Sequence, residues 1–172
     1  MKRLLLLRHA KSSWHDPSLT DFDRPLNQRG RAAARLIGDY LLRKGLLPDL
    51  ILCSAAQRAR ETLAFMQDRL EGDLPAMIEK SLYEASPGEI AGIVKQAAPG
   101  IGTVMVIGHN TGIEELARRL SRKGNEKARK LMASKYPTGA MAVIEISGKG
   151  WLRLDGKDAS LRHFVRPCDL ED

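Results

Sequence analysis

The sequence predicts an α/β fold with three layers (α/β/α), in which helices cover both faces of a mostly parallel central sheet and an antiparallel hairpin ends the chain. Three short apolar runs, at residues 4–7, 50–53 and 103–107, are typical of strands buried on both faces. Helical patterns separate these runs, as expected for parallel strands joined by crossover connections. We expect residues 1–172 to form a single domain.

The first half of the chain follows this scheme. Residues 12–26 contain two prolines and three aspartates and are predicted to form a loop. Asn27 is a predicted helix cap, and apolar residues follow it at helical spacing until Gly45. After the second apolar run, Ser54 and Gln57 have the form of a capping box. The next helix is predicted to bury Ala59, Leu63, Met66 and Leu70.

The second half adds strands and helices of the same kind. Met77–Ile78 is a candidate strand, and Ser86-Pro87-Gly88-Glu89 has the form of a second capping box. Thr111 with Glu114 is expected to cap the helix after the third apolar run. One short helix is predicted inside the basic segment 121–137. The predicted hairpin pairs residues 140–146 with 151–154 around a turn at 147–150.

Composition and charge exclude several classes of protein. No apolar run is long enough for a membrane span or a signal peptide, so we expect a cytoplasmic protein with no membrane partner. The net charge of +7 permits nucleic-acid binding, but the basic residues are scattered, so we expect no nucleic-acid partner. Two cysteines give no disulfide framework, and Cys53 is expected in the core. The four histidines lack the paired spacing of a zinc site, so no metal is predicted.

Side chains suited to phosphate chemistry follow the three predicted buried strands. Arg8 and His9 end the first, Arg58 lies in the helix after the second, and His109 follows the third. Because the carboxyl ends of parallel strands lie at one edge of a sheet, these side chains are expected to converge. Guanidinium groups bind phosphate oxygens in bidentate geometry, and helix N-termini add backbone donors. The sequence therefore predicts a phosphoryl pocket that stabilises transition-state charge.

A neutral histidine in such a pocket can act as a nucleophile and form a labile phosphoramidate. Departure of a leaving group then needs a proton donor, for which Glu84 is the best-placed acid by sequence context. Lys11 and Asn110 are further candidate substrate-binding residues, although Lys11 is equally plausible as a solvated side chain. His15 and His163 are expected to be structural or surface residues.

These motifs together resemble the histidine phosphatase superfamily, which has the phosphoglycerate mutase-like fold. Leu7 to Ser12 is similar to the family's Arg-His-Gly signature, with Ala10 in place of glycine. Matches to other family motifs occur at Ser54 through Thr62, at Gly108-His109-Asn110, and at Asp23-Arg24-Pro25-Leu26 with Gly30. The short length and the Arg-His-Ala-Lys-Ser-Ser-Trp run most resemble the SixA-like branch, named for phosphohistidine phosphatase.

The resemblance implies that His9 is the nucleophile, that Arg8, Arg58 and His109 form the phosphate pocket, and that no metal or organic cofactor takes part. It also places Glu84 where many members carry their proton donor. The leading hypothesis is a phosphatase that acts on phosphohistidine of a protein or on a small phosphate compound. One alternative is a phosphomutase, against which the absence of long substrate-covering insertions argues. The other is a non-catalytic phosphoryl-binding module.

Overall fold

Six strands form one sheet with helices on both faces in the computed structural model, which describes residues 1–171. The strands are β1 Lys2–Arg8, β2 Leu50–Ser54, β3 Ala76–Glu79, β4 Thr103–Gly108, β5 Met141–Ile146 and β6 Ala159–Val165. The helices are α1 Gln28–Lys44, α2 Gln57–Gln67, α3 Pro87–Ala97, α4 Gly112–Leu120 and α5 Glu126–Ser134. The predicted three-layer α/β/α fold is confirmed.

The strand order brings the predicted functional segments to one edge of the sheet. It runs β3-β2-β4-β1-β5-β6, and the first four strands are parallel. β5 runs antiparallel to this group, and β6 pairs antiparallel with β5 to form the closing hairpin. Because β1, β2 and β4 are parallel neighbours, their carboxyl ends lie side by side, where ligands bind in sheets of this class.

The leucine run of β1 explains why this strand lies inside the sheet. Leu4 and Leu6 pack on the face covered by α3, α4 and α5, whereas Leu5 and Leu7 pack on the face covered by α1 and α2. All four side chains are fully buried. Because successive side chains point to opposite faces, a strand covered on both sides requires an apolar residue at every position.

Two predicted helix starts and one predicted helix end are confirmed. The side chain of Asn27 accepts a hydrogen bond from the backbone N–H of Gly30 at 2.8 Å. Ser86 and Glu89 form the predicted reciprocal capping box. α1 ends at Gly45, whose φ of 64° lies in the left-handed region that glycine adopts without strain.

Gly30 also allows α1 to approach the segment that follows β1. A Cβ atom at this position would lie 2.1 Å from the carbonyl oxygen of Lys11. No larger residue fits there unless the backbone moves. The same carbonyl accepts a hydrogen bond from the N–H of Asn27 at 3.0 Å, so the start of α1 fixes the backbone just beyond His9.

Two predicted caps are wrong. Ser54 is the last residue of β2, so α2 begins two residues later than a Ser54 cap requires, after Ala56 and without a side-chain cap. Thr111 precedes α4 but makes no capping hydrogen bond with its side chain. Leu70, predicted on the buried face of α2, lies beyond the end of that helix and is half-buried.

The predicted hairpin is correct in its first strand and wrong in its second. The partner of β5 is β6, at Ala159–Val165, rather than residues 151–154. Trp151 instead lies in a 3₁₀ turn at Gly150–Leu152, where its indole N–H donates to the carbonyl of Ile101 at 2.8 Å. That contact buries the indole and satisfies its only donor, which a strand at this position would not do.

The remaining structural expectations concern the basic segment, the cysteines and the membrane. The short helix predicted inside 121–137 is α5. Cys53 is buried in the core, and desolvation raises the pKa of its thiol to about 12. Among residues 1–171, none of the helices combines the length and the apolar character that crossing a membrane requires.

Candidate active site

The structure brings four of the predicted residues together at the carboxyl edge of the sheet. Arg8 ends β1 and His9 follows it, Arg58 lies in the first turn of α2, and His109 directly follows β4. The imidazole rings of His9 and His109 have centroids 5.2 Å apart. His9, Arg58 and His109 are only 7 %, 7 % and 8 % exposed, so this pocket is largely shielded from water.

Backbone contacts fix the orientation of the His9 ring. Its Nδ1 lies 2.8 Å from the carbonyl oxygen of Ala10, which can only accept, so Nδ1 carries the proton. The lone pair of Nε2 is therefore available, and it accepts a hydrogen bond from Nε of Arg58 at 3.3 Å. The N–H of Ala10 donates to the Thr62 hydroxyl at 3.0 Å, which holds this turn against α2. The ring thus presents its unprotonated nitrogen to the guanidinium group.

Burial and neighbouring positive charges keep both imidazoles neutral. Desolvation lowers the pKa of His9 to about 3, with smaller contributions from His109 and the two arginines. Desolvation, followed by the charge of Arg58, lowers the pKa of His109 to about 4. At neutral pH neither ring carries a second proton, so Nε2 of His9 retains the lone pair that a nucleophile needs.

Several polar atoms of these residues are buried without a protein partner. Nε of Arg8, Nδ1 of His109 and Oδ1 of Asn110 lack a hydrogen-bond partner within residues 1–171. The other ring nitrogen of His109, Nε2, lies 2.8 Å from the hydroxyl of Ser54 at the end of β2. Unpaired buried polar groups are costly and uncommon, and a polar ligand would satisfy them.

The carbonyl of Tyr136, a residue that the sequence did not indicate, positions two of the predicted residues. This carbonyl oxygen accepts hydrogen bonds from Nη1 of Arg8 at 3.0 Å and from Nδ2 of Asn110 at 3.1 Å. The Tyr136 side chain is buried, and its hydroxyl donates to the carbonyl of Leu6 in β1. The segment before β5 therefore holds Arg8 and Asn110 in fixed positions beside the histidines.

Asp21 is the second residue of the site that the sequence did not indicate. Its carboxylate accepts hydrogen bonds from Nη2 of Arg58 at 3.0 Å, from Nε and Nη2 of Arg24 at 3.3 and 3.0 Å, and from the hydroxyl of Tyr83. The Tyr83 hydrogen bond, followed by those from the arginines, holds the pKa of this carboxyl well below its usual range. Asp21 is therefore an anion at neutral pH.

Lys11 and Glu84 are not joined to this cluster by a hydrogen bond or an ion pair within the described part of the chain. Lys11 is exposed and lines a separate groove with Arg29 and Arg166. Glu84 follows Tyr83 with a positive φ of 58°, and its side chain is exposed. Their roles in phosphate binding and proton donation stay predictions.

The other two histidines are surface residues. His15 and His163 are exposed, as expected for surface residues. Over residues 1–171, the structure contains no group of three or more His, Cys, Asp or Glu side chains placed to hold a metal ion.

Comparisons with known proteins define the class of protein. Residues 4–100 match the Histidine phosphatase superfamily (branch 1), and the chain belongs to that family. An uncharacterized chloroplastic protein of Arabidopsis thaliana is 40 % identical over 159 residues, which cover 87 % of this chain and 69 % of that protein.

Solved structures point to one branch of the family. A candidate phosphohistidine phosphatase SixA from Nakamurella multipartitia matches with a TM-score of 0.83 and 28 % identity, over 96 % of both chains. The corresponding SixA protein from Agrobacterium tumefaciens matches with a TM-score of 0.80 and 30 % identity, over 96 % of this chain and 98 % of that one. The resemblance to the superfamily and to SixA-like proteins is thereby confirmed.

We expect mild acid to destabilise the fold through the two buried histidines. Their pKa values are about 3 and about 4 in the folded protein but near 6.5 in the unfolded chain, so the unfolded chain binds more protons below pH 6.5. The free energy of unfolding should fall with falling pH, by roughly 1 kcal/mol per pH unit for each ring. Urea unfolding at several pH values between neutral pH and about pH 5 measures this slope.

A matched pair of variants tests whether the buried histidines cause this pH dependence of the free energy of unfolding. His109→Gln should reduce the slope by about half, because one of the two strongly depressed groups is removed. The pKa of His163, which desolvation also lowers, is the same in both proteins. His15→Gln, which removes an exposed histidine, should leave the slope unchanged. A free energy of unfolding that does not change between neutral pH and about pH 5 would show that the rings are not held neutral.

Proposed function

We propose that this chain is a phosphatase that transfers a phosphoryl group first to Nε2 of His9 and then to water. The observation that carries the proposal is the orientation of His9. Its Nδ1–H donates a hydrogen bond to the carbonyl of Ala10, and its Nε2 lone pair faces the guanidinium of Arg58. A neutral, oriented imidazole beside a fixed cation is the arrangement that attack on a phosphoryl group requires.

In the first step of this mechanism, the Nε–H of Arg58 shifts its hydrogen bond from Nε2 of His9 to a phosphoryl oxygen, and the released lone pair of Nε2 attacks phosphorus. A P–N bond forms, the bond to the leaving group breaks, and the leaving group departs with the bonding electron pair. The ring then carries a positive charge, because Nδ1 keeps its proton. The Ala10 carbonyl, 2.8 Å from Nδ1, stabilises that charge through a charge-assisted hydrogen bond.

In the second step, water attacks the phosphorus of the phosphohistidine. The P–N bond breaks, its electron pair returns to Nε2, and the proton lost by water goes to the phosphate formed. The neutral imidazole is regenerated. Arg8, Arg58 and His109 would contact the phosphoryl oxygens in both steps. The two arginines would counter the charge spread over the transition state with fixed positive charge, and the neutral His109 ring would contribute a hydrogen bond.

We propose phosphohistidine on a protein as the substrate, with a small phosphate compound as the alternative. Phe22 and Tyr83 support this choice, because their half-buried rings are 5.1 Å apart and Tyr83 lies 5.4 Å from the ring of His109. An aromatic wall of this kind suits a flat imidazole leaving group. Phosphohistidine is also a high-energy donor whose leaving group needs little protonation, so Glu84 would matter mainly for phosphate esters.

The test is to trap the intermediate and to compare two substrates. The wild-type protein is mixed with an aryl phosphate or with a phosphohistidine protein, quenched with alkali, and analysed by mass spectrometry. We expect the phosphoryl group on His9, stable in alkali and labile in acid, with faster release from the phosphohistidine protein. Phosphate binding without release favours the binding module, and stimulation by a bisphosphorylated compound favours the mutase. A phosphoryl group on another residue contradicts the mechanism.

A further inference from the structure

The guanidinium group of Arg58 is divided between two partners. Its Nη1 and Nη2 atoms, which form the end of the planar group, donate to the carbonyl oxygen and the carboxylate of Asp21 at 2.6 and 3.0 Å. Its Nε donates to Nε2 of His9 at 3.3 Å. Nε and the second proton of Nη2 form the side edge of the group. Because Nε–H points at Nε2 of His9, this edge faces the place where a phosphoryl group transferred to His9 would lie.

Asp21 is itself held from three separate parts of the chain. Besides Arg58 of α2, it binds the hydroxyl of Tyr83, which follows β3, and the guanidinium of Arg24. Arg24 is buried, and its Nη1 donates to the hydroxyl of Ser12 at 2.6 Å. This set of contacts fixes the carboxylate, because Oδ1 accepts from both Nε and Nη2 of Arg24, and Oδ2 accepts from Arg58 and from Tyr83.

We propose that Asp21 is a positioning residue for phosphoryl transfer, acting through Arg58. By accepting hydrogen bonds from the end of the guanidinium, Asp21 holds the Arg58 side chain in one rotamer, in which the side edge faces the phosphoryl group. The inference rests on the proposed function. A planar fork that is oriented before substrate arrives contributes to the rate, because small errors in placement are costly in the transition state.

The negative charge of Asp21 allows a positioning role to be distinguished experimentally from a purely structural one. Arg24 and Arg58 are both 7 % exposed, and the carboxylate offsets part of their charge. Removing that charge makes the pocket more positive, so a phosphate anion should bind as well as before or more tightly. Loss of the oriented fork, in contrast, should slow the chemical step. Together the two effects lower kcat while KM stays unchanged or falls, which a general loss of folding does not produce.

The test compares Asp21→Asn with the wild-type protein on an aryl phosphate. We expect kcat to fall about 10- to 100-fold, with KM and the inhibition constant of inorganic phosphate unchanged or lower. Asp21→Glu, which restores the charge, should recover part of the lost kcat. Asp16→Asn is the matched control, because Asp16 is an exposed residue of the same loop whose carboxylate binds Ser18. It should stay within about twofold of wild type.

Tyr83 provides a second, independent variant. Tyr83→Phe removes one donor to Asp21 and should lower kcat by about fivefold. If Tyr83 acts through Asp21, the Phe substitution should cost little more in the Asp21→Asn background, so the two effects should not add.

A spectroscopic measurement keeps this inference separate from the proposed function. In ¹H–¹⁵N NMR spectra, the Nε–H of a fixed, buried Arg58 should give a sharp signal, assigned by its loss in Arg58→Lys. We expect Asp21→Asn to broaden or shift it. If wild type releases no phosphate, the proposed function fails, yet this signal still decides whether Asp21 fixes Arg58. An unchanged signal, a kcat that is unchanged or raised, or equal losses of kcat and phosphate affinity would overturn the proposal.

Discussion

Replacing His9 by alanine is expected to abolish phosphate release. The variant lacks the nitrogen that would form the P–N bond, so the reaction must proceed by direct attack of water in the same pocket. Loss of a covalent nucleophile lowers kcat/KM by a factor on the order of 10⁴ or more. Steady-state assays on an aryl phosphate and on a phosphohistidine protein measure the effect, and no phosphoenzyme should be detected on the variant.

Controls separate a lost nucleophile from a lost fold. His9→Asn keeps a side-chain N–H donor that can reach the Ala10 carbonyl but has no counterpart of Nε2, so it should be as inactive as the alanine variant. Both variants should still bind inorganic phosphate in calorimetry, because Arg8, Arg58 and His109 remain. His15→Ala, a change at an exposed histidine, should retain activity. Full turnover by His9→Ala would disprove the mechanism.

The central strands could be predicted because each one is a continuous run of apolar residues in the sequence. A strand covered on both faces must be apolar at every position, and residues 4–7 and 104–107 meet that condition without exception. Because the predicted functional residues directly follow such strands or begin the next helix, their convergence on one edge of the sheet follows from the parallel order. Arg8, His9, Arg58 and His109 could therefore be placed together.

The second strand of the hairpin could not be predicted in the same way. Residues 151–154 carry apolar side chains that suggest a strand. Trp151 instead contacts a residue 50 positions earlier in the sequence, where its indole N–H donates to the carbonyl of Ile101. The true partner, β6, lacks a regular apolar alternation, because the consecutive residues Arg162 and His163 in its middle are both exposed. A tertiary contact thus overrode the local pattern.

The positioning residues of the site were missed for a related reason. Asp21 lies 37 residues from Arg58 and 62 residues from Tyr83, and no periodicity connects these positions. Tyr136 acts through its backbone carbonyl, which every residue possesses, so its identity carries no signal for that contact. Residues at strand ends are placed by the sheet, whereas Asp21 and Tyr136 lie in connecting segments whose course depends on the completed fold.

Replacing Arg58 by lysine is expected to cost nearly as much as replacing it by alanine, although lysine keeps the charge. The guanidinium contacts His9 and Asp21 at the same time through different nitrogens. An ammonium is a single point charge on a flexible stem, so it cannot maintain both contacts and also bind a phosphoryl group in bidentate geometry. We expect kcat/KM to fall about 10³-fold for alanine and by at least about 10²-fold for lysine.

Arg60→Lys provides the matched control, because Arg60 is an exposed arginine on the same helix and should tolerate the change. The thermal midpoints of the Arg58 variants show whether the pocket still folds, since Asp21 keeps its hydrogen bonds from Arg24 and Tyr83. An Arg58→Lys protein that retains more than about a tenth of the wild-type kcat/KM would contradict this reasoning. In that case positive charge at residue 58 would suffice, and the planar geometry of the guanidinium would not be needed for transfer to His9.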